Sequence, residues 1–142
     1  MKRITNNKHL PRLTPAEFEI MNIVWAKGEA TVGEILDAVN ASRKEQLRRA
    51  TIRVQVVRLE KKGWLKVEKL NNLLYYSATT AKAEASHHMI NEIRTKAFQG
   101  SYFELVKTLF KNSDVSSTEI EKIRDFISRQ REESNNSNGN AE

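Results

Sequence analysis

The spacing of apolar residues changes at Gly63, and this change restricts the possible folds more than any other feature of the sequence. Before Gly63, apolar residues recur every three or four positions, as they do along one face of an α-helix. After it, residues 65–68 alternate apolar with charged side chains, and residues 73–77 are rich in strand-forming types. Asn71 and Asn72 separate these two runs and suit a tight turn, so we predict a β-hairpin.

Capping boxes predict where four helices begin. In this motif the N-cap hydroxyl accepts a hydrogen bond from the backbone N–H three residues later, and an acidic side chain at that position binds back to the N-cap N–H. The pairs are Thr14 and Glu17, Thr31 and Glu34, Ser101 and Glu104, and Ser116 and Glu119. Together with the apolar spacing, they predict helices over about residues 15–26, 32–39, 47–62, 81–98, 102–111 and 117–131.

Three helices followed by a two-stranded ribbon are the order of elements in a winged helix-turn-helix domain. We therefore predict a mainly α protein with a winged-helix DNA-binding domain at residues 13–79 and a helical dimerisation domain at residues 80–133. We expect residues 1–12 to form a flexible basic arm. Residues 134–142 contain only Ser, Asn, Gly, Ala and Glu, and we expect this segment to be disordered.

Apolar stripes predict which side of each helix is buried. In the first helix the stripe consists of Phe18, Met21, Val24 and Trp25, and in the third of Ile52, Val56 and Leu59. The last three helices total only about 50 residues, too few for a core of their own, so we expect them to pack against a second copy in a two-fold homodimer. The expected dimerisation residues are Ile90, Ile93, Leu105, Leu109, Ile120, Ile123 and Ile127.

Positive charge is concentrated on the third helix and the ribbon, between residues 43 and 69. The whole chain carries a formal charge of +6, and this stretch holds many Lys and Arg but few acids. A cationic helix beside a ribbon is typical of duplex DNA binding, in which the helix enters the major groove. We assign Thr51 and Arg53 to base edges. The remaining candidates for DNA contacts are Arg43, Lys44, Arg48, Arg49, Arg58, Lys61, Lys66 and Lys69.

Other classes of function are not expected from these residues. The absence of Cys excludes disulfides, thiolate metal sites and a cysteine nucleophile. The chain also lacks a glycine-rich phosphate loop and the common hydrolase motifs, so we expect neither an enzyme nor a cofactor. Glu84, His87 and His88 share one helix, but a di-iron site needs a second Glu-x-x-His motif, so no metal site is predicted.

The same residues indicate a cytoplasmic protein and leave one alternative function. The longest apolar stretches are far shorter than the roughly 20 residues of a transmembrane helix, and the first residues do not resemble a secretory signal. We therefore expect no membrane partner. The alternative to a DNA-binding repressor is a winged helix that binds protein or RNA without reading duplex DNA.

Three segments resemble a known family. The first helix contains Leu13-Thr-Pro-Ala-Glu-Phe-Glu-Ile-Met-Asn-Ile-Val-Trp25, the second begins Thr31-Val-Gly-Glu-Ile35, and the third combines Thr51-Ile52 with Arg58-Leu-Glu-Lys-Lys-Gly63-Trp-Leu65. With these motifs, roughly residues 10–130 resemble the penicillinase repressor family, regulators of the BlaI, MecI and CopY type. The resemblance implies a homodimeric repressor of transcription that binds an inverted-repeat operator.

The resemblance also bears on the operator. Thr51 and Arg58 match the recognition helix of the family, whereas Ala50, Arg53 and Val54 stand where family members often have other residues. The base sequence of the operator therefore stays open.

The family's target genes and signals are only partly matched. Its targets are typically β-lactam resistance or copper-handling genes, but the copper-responsive members use paired cysteines, which this chain lacks. In the β-lactam branch, proteolysis linked to a sensor cuts an Asn-Phe bond in the second C-terminal helix. The corresponding bond here is Thr108-Leu109, so the identity of the inducing signal stays open.

Overall fold

A computed structural model describes residues 10–139 of the chain. The predicted arm therefore lies outside the described residues except at positions 10–12, as do the last three residues of the predicted tail. The chain divides into two compact units, Met1–Ile90 and Asn91–Glu142. The elements in order are α1 (Pro15–Lys27), β1 (Glu29–Ala30), α2 (Val32–Asn40), α3 (Arg49–Lys61), β2 (Leu65–Leu70), β3 (Leu73–Ala78), α4 (Lys82–Ala97), α5 (Tyr102–Phe110) and α6 (Ser117–Gly139).

All four predicted caps lie at helix starts, but two of the predicted boxes are incomplete. Ser101 and Ser116 accept from the N–H three residues later, and no return bond from the acidic side chain forms among the described residues.

The first two helices have the complete capping box. Thr14 Oγ1 accepts from the Glu17 N–H at 3.2 Å, and Glu17 Oε1 accepts from the Thr14 N–H at 2.9 Å. Thr31 and Glu34 form the same reciprocal pair at the start of α2. At the other end of α1, Gly28 adopts φ +85° and ends the helix, a conformation that side chains with a Cβ rarely adopt.

The core of the first unit lies between α1, α2 and α3. The predicted inner stripe of α3 is confirmed, because Ile52, Val56 and Leu59 are completely buried. The predicted stripe of α1 is partly wrong. Phe18 and Trp25 are only half-buried, and Glu17 and Ile20 are buried instead, with Met21 and Val24. The buried face is rotated toward residues 17, 20, 21 and 24, and Trp25 lies at its rim, where its indole N–H donates to the Thr80 carbonyl at 2.8 Å.

The predicted hairpin is confirmed and is part of a three-stranded antiparallel sheet in the order β1-β3-β2. Strand β1 was not predicted, because two residues are too few to show alternation. Leu70 pairs with Leu73, so the loop consists of Asn71 and Asn72 alone, with φ of 51° and 65°. Positive φ at both positions defines a type I′ turn, whose twist matches that of the flanking strands. The prediction of a winged helix-turn-helix is thus confirmed.

The second unit is helical and has few buried residues. Arg94 stabilises the turn between α4 and α5, because its guanidinium donates to the Gly100 carbonyl at 2.5 Å and to Asn91 Oδ1 at 2.6 Å. The same group lies 4.2 Å from the centre of the Tyr102 ring, a cation–π contact. None of the described residues of α5 or α6 is buried.

Helix α6 is longer than predicted. It continues to Gly139, into the segment that we expected to be disordered from residue 134 onward. Composition argued for disorder, but each residue added to an existing helix gains one backbone hydrogen bond without a new nucleation step. The Ser137 hydroxyl also donates to the Glu133 carbonyl at 3.0 Å.

A buried ion pair connects the start of α1 to the end of α3. Lys62 Nζ lies 2.8 Å from Glu17 Oε1, and the Glu17 side chain is 2% exposed. Burial opposes ionisation of this carboxyl, but hydrogen bonds from Lys62 and with Thr14 outweigh it and hold the pKa of Glu17 below its ordinary value of 4.5. The buried Glu17 Oε2 has no hydrogen-bond partner in the described part of the chain, so the charge of the carboxylate is compensated at Oε1, by Lys62 and the Thr14 N–H.

We expect Lys62→Met to lower the free energy of unfolding at neutral pH by about 3 kcal/mol, because it leaves a buried carboxylate without its counter-ion. Urea unfolding at pH 7 measures this. The matched control is Lys61→Met, because the neighbouring Lys61 is exposed, and it should change stability by less than about 0.5 kcal/mol. Equal losses in the two variants would show that the pair is unimportant.

The effect should also depend on pH. Because the pKa of Glu17 is lowered on folding, its contribution to stability is fully present above pH 4.5 and is lost as the pH falls through the lower pKa of the folded state. The stability difference between wild type and Lys62→Met should therefore shrink when unfolding is repeated at about pH 3.

Candidate nucleic-acid interface

Helix α3 separates a buried side from a cationic side. Its inner stripe is buried in the core, whereas Thr51, Arg53, Arg58 and Lys61 are exposed on the remaining faces. Val54 lies among them and is 56% exposed. The arrangement leaves one face of α3, about three turns long, free to contact another molecule, with three cations, one hydroxyl and one apolar side chain.

The amino end of α3 is positively charged. The N-cap residue, Arg48, makes no side-chain capping bond, and the first turn contains no acid. Free N–H groups and the helix dipole add partial positive charge at this end. Arg49 follows, and a guanidinium nitrogen of Arg49 would lie 3.7 Å from a Cβ built on Gly33, so this side chain lies against the first turn of α2.

The loop between α2 and α3 presents further cations. Asn40 closes the loop, because its amide donates to the Leu47 carbonyl at 3.0 Å and its Oδ1 accepts from the Leu47 N–H at 2.8 Å. Gln46 donates to the carbonyls of Asn40 and Arg43, each at 3.0 Å. Arg43 and Lys44 are exposed on this compact loop.

Arg43 is already engaged by an acid. One of its guanidinium nitrogens lies 2.7 Å from Glu19 Oε2 on α1, and both side chains are 37% exposed. Ion pairs at this exposure contribute only about 0–1 kcal/mol, so a stronger anion can replace Glu19. Arg43 therefore stays a candidate for a DNA contact, for which a phosphate would have to replace Glu19.

The ribbon of β2 and β3, which we call the wing, places its two lysines on opposite faces. Lys66 pairs with Ser77 and Lys69 with Leu74, and side chains three positions apart in a strand point to opposite sides. Lys69 is on the same face as the buried Leu65 but lies beyond the core, and both lysines are exposed. The wing therefore offers a positive charge on each side.

The wing lies beside α3. Burial raises the pKa of the Tyr76 hydroxyl on β3, the carboxylate of Glu60 raises it further, and the guanidinium of Arg53 opposes the shift. Arg53 and Glu60 are both on α3 and lie two helical turns apart, so they share one edge of the helix. That edge faces the ribbon. Arg53 is thus positioned between the outer face of α3 and the wing.

All ten residues predicted to contact DNA are exposed, and they lie on three neighbouring elements: the α2–α3 loop, α3 and the wing. Lys62 belongs to the same basic stretch of sequence, but it points inward to Glu17 and is not available to a ligand. Sequence reasoning did not single out Leu70 and Leu73, which are 58% and 50% exposed at the end of the wing. The signal available in the sequence was a pair of leucines directly flanking a polar turn.

Other kinds of site have little support in the described residues. A cavity of about 160 Å³ lies between α1, α2 and α3, below the roughly 300–1,000 Å³ typical of small-molecule sites. His87 and His88 are exposed with ring centroids 6.3 Å apart, and residues 10–139 contain no group of three His, Cys, Asp or Glu that could hold a metal ion. Across that same range, no helix is both long enough and apolar enough to span a membrane.

The seven residues predicted for dimerisation are distributed over α4, α5 and α6. Ile90, Leu109 and Ile127 are at least half exposed, Ile93 and Ile120 somewhat less, and Leu105 and Ile123 are intermediate. Thr108 and Leu109, the positions of the possible proteolytic site, lie in the last turn of α5. The Thr108 hydroxyl donates to the Glu104 carbonyl at 2.8 Å. The peptide bond between Thr108 and Leu109 therefore lies inside an intact helix.

Comparison with known proteins identifies a family for this chain. A family model described as "Penicillinase repressor" matches residues 13–129. The methicillin resistance regulatory protein MecI of Mammaliicoccus sciuri is 27% identical over 117 residues, covering 82% of this chain and 94% of that protein. The penicillinase repressor of Staphylococcus aureus is 29% identical over 115 residues, covering 81% of this chain and 90% of that protein.

Two solved structures match about half of the chain. The solution structure of the DNA-binding domain of the repressor BlaI has a TM-score of 0.47 and 23% identity, and the match covers 54% of this chain and 92% of that one. The monomeric form of Bacillus licheniformis BlaI, solved in complex with the blaP half-operator, has a TM-score of 0.46 and 22% identity, with coverage of 54% and 90%.

Proposed function

Because the chain belongs to the penicillinase repressor family, whose members are transcriptional repressors and not enzymes, we propose that it represses transcription as a homodimer bound to an inverted-repeat operator in duplex DNA. The observation that carries the proposal is the exposed cationic surface formed by the α2–α3 loop, α3 and the wing. We place such a repressor in the cytoplasm.

The dimensions and chemistry of α3 suit the major groove. That groove is about 12 Å wide and admits one α-helix. Thr51 and Arg53 in the first half of α3 are assigned to base edges, and the exposed Val54 to the methyl group of thymine. Arg58 and Lys61 lie further along the helix and are assigned to phosphates, as are Lys66 and Lys69 on the wing.

Dimer formation is supported by the apolar side chains of the second unit. Helix α6 is 23 residues long and α5 is nine, and none of their described residues is buried. Leu109 is 62% exposed, and Phe126 and Ile127 are 61% and 56% exposed. Apolar stripes of this size are covered most economically by a second copy of the same helices, and a two-fold axis also matches an operator with two half-sites.

Control by proteolysis is a further part of the proposal. A cut between Thr108 and Leu109 in α5 would separate α6 from the rest of the chain and divide the dimerisation stripe. The two DNA-binding domains, each of which binds a half-site weakly, would then lose the linkage that makes the dimer bind with high affinity. A sensor-linked protease is the partner that such regulation requires, with β-lactam resistance or a related stress response as the controlled output.

The central test is binding to a defined duplex. Sequencing the DNA fragments that co-purify with the protein identifies the operator, and titration then compares it with a scrambled duplex. We expect preference for a duplex whose two half-sites are about one helical turn apart, and an affinity that falls roughly 10³- to 10⁵-fold between 50 and 200 mM salt. Equal affinity for both duplexes would favour a module that binds protein or RNA.

We expect Arg58→Ala to weaken binding to every duplex by a similar factor and to reduce the slope of log affinity against log salt by about 1 per protomer, since it removes a phosphate contact. Lys27→Ala is the matched control, because Lys27 is an exposed cation at the end of α1 and outside the proposed surface. Thermal unfolding should be unchanged in both. A large loss of stability in Arg58→Ala would make that residue structural.

We expect Leu109→Asp and Ile123→Asp each to produce monomers with poor operator affinity, because each places a charge in an apolar interface. Sedimentation equilibrium measures the mass. Thr108→Asp is the control: it introduces the same charge at the next position, on the polar side of α5, and should stay dimeric. Intact dimers in the Leu109 and Ile123 variants would contradict the proposed interface.

A further inference from the structure

The residues just before α1 are tied to the junction of α3 and β2. The Trp64 indole N–H donates to the Pro11 carbonyl at 2.8 Å. Lys62 Nζ donates to the Arg12 carbonyl at 3.4 Å. Both donors lie between the last residue of α3 and the first residue of β2, so these hydrogen bonds place residues 11 and 12 beside the carboxyl end of α3.

Apolar packing holds the same stretch of chain. Leu10 and Leu13 pack against the buried core. Leu10 Cδ2 lies 3.1 Å from the position that a Cβ on Gly63 would occupy, so a side chain at position 63 would crowd Leu10. We call residues 10–13 the strap. The strap gives the preceding part of the chain a defined point of departure from the first unit.

The segment that precedes the strap, residues 1–9, is basic. It contains Lys2, Arg3 and Lys8, and residues 1–16 contain no Asp or Glu. The match to the family model begins at residue 13, so the family likeness does not account for this charge. Cations with no acids among them favour a polyanionic partner.

The position of the strap selects DNA as that partner. The strap lies beside the carboxyl end of α3, near which Arg58 and Lys61 are exposed and assigned to phosphates. Nine residues of chain span at most about 30 Å. Duplex DNA carries about one charge per 1.7 Å of its axis. When α3 occupies the major groove, phosphates are therefore within reach of all three cations of residues 1–9.

We propose that residues 1–9 bind the phosphate backbone of the operator through Lys2, Arg3 and Lys8, and so extend the surface formed by the α2–α3 loop, α3 and the wing. This inference rests on the proposed function, because α3 must bring the duplex to the strap. It assigns to the segment a gain in affinity without sequence selection, since phosphate contacts carry no direct sequence information.

The first test removes the three charges together. In the variant that combines Lys2→Ala, Arg3→Ala and Lys8→Ala, we expect the slope of log affinity against log salt to fall by about 0.9 for each lost phosphate contact, up to about 3 per protomer. At about 100 mM salt, the affinities for the operator and for a scrambled duplex should both fall about tenfold or more, by the same factor. Anisotropy titrations of both duplexes over a series of salt concentrations measure these changes.

A second triple variant removes the same charge elsewhere. Lys27→Ala, Lys82→Ala and Lys111→Ala change the net charge by the same amount, but these exposed lysines lie outside the α2–α3 loop, α3 and the wing. This control should keep nearly the wild-type slope and affinity. Thermal unfolding of both variants should match that of the wild type, so that a loss of affinity is not a loss of folded protein.

A cleavage probe locates the segment on the DNA. The chain has no Cys, so Thr5→Cys provides a single attachment point for an iron chelate that generates hydroxyl radicals close to its position. We expect strand cleavage at discrete positions of the operator, at the same place in each half-site. Lys27→Cys carrying the same chelate is the control, and it should cleave no position preferentially.

The outcomes separate this inference from the proposed function. If the wild-type protein prefers the operator to scrambled DNA but the first triple variant keeps its salt slope and affinity, the repressor proposal stands and the inference is wrong. Equal losses in the two triple variants also overturn it, because net charge would then be the cause. Diffuse cleavage from position 5 overturns it as well. No preference of the wild-type protein for the operator overturns both.

Discussion

Burial of one side of α3 determines what the first unit can present to its surroundings. Ile52, Val56 and Leu59 are fully buried in the core, so the rotation of α3 about its own axis is fixed by packing. This packing consequently directs the cations on the other faces of α3 outward. The buried pair of Glu17 and Lys62 adds an anchor at the carboxyl end of the same helix. Buried polar pairs of this kind can favour one packing arrangement of helices over others, and this pair links α1 to α3.

Local patterns in the sequence were sufficient for most of this unit. The caps at Thr14 and Thr31 involve residues three apart, and the hairpin depends on two adjacent asparagines, so each can be recognised in a short window. The inward position of Lys62 could not be predicted, because its partner is 45 residues away in the sequence and its neighbour Lys61 is exposed. Strand β1 was missed for a similar reason, since only its pairing with β3 identifies it as a strand.

The candidate site was predictable in composition but not in arrangement. The basic stretch identified the elements that carry the cations, and the exposure of all ten candidate residues agrees with that choice. Sequence could not show that Arg43 is paired with Glu19 or that Arg53 lies on the side of α3 that faces Tyr76. The leucines of the wing were interpreted only as strand formers, because their exposure depends on where the core ends.

The absence of buried residues from the described parts of α5 and α6 has a consequence for the lifetime of the protein. Helices whose backbone hydrogen bonds are exposed to water open locally at low cost, and proteases cleave the opened segments. A copy whose apolar stripes stay uncovered is thus expected to be degraded faster than one whose stripes are shielded. Turnover of this kind removes surplus chains and limits the amount of protein that accumulates, without any dedicated feedback circuit.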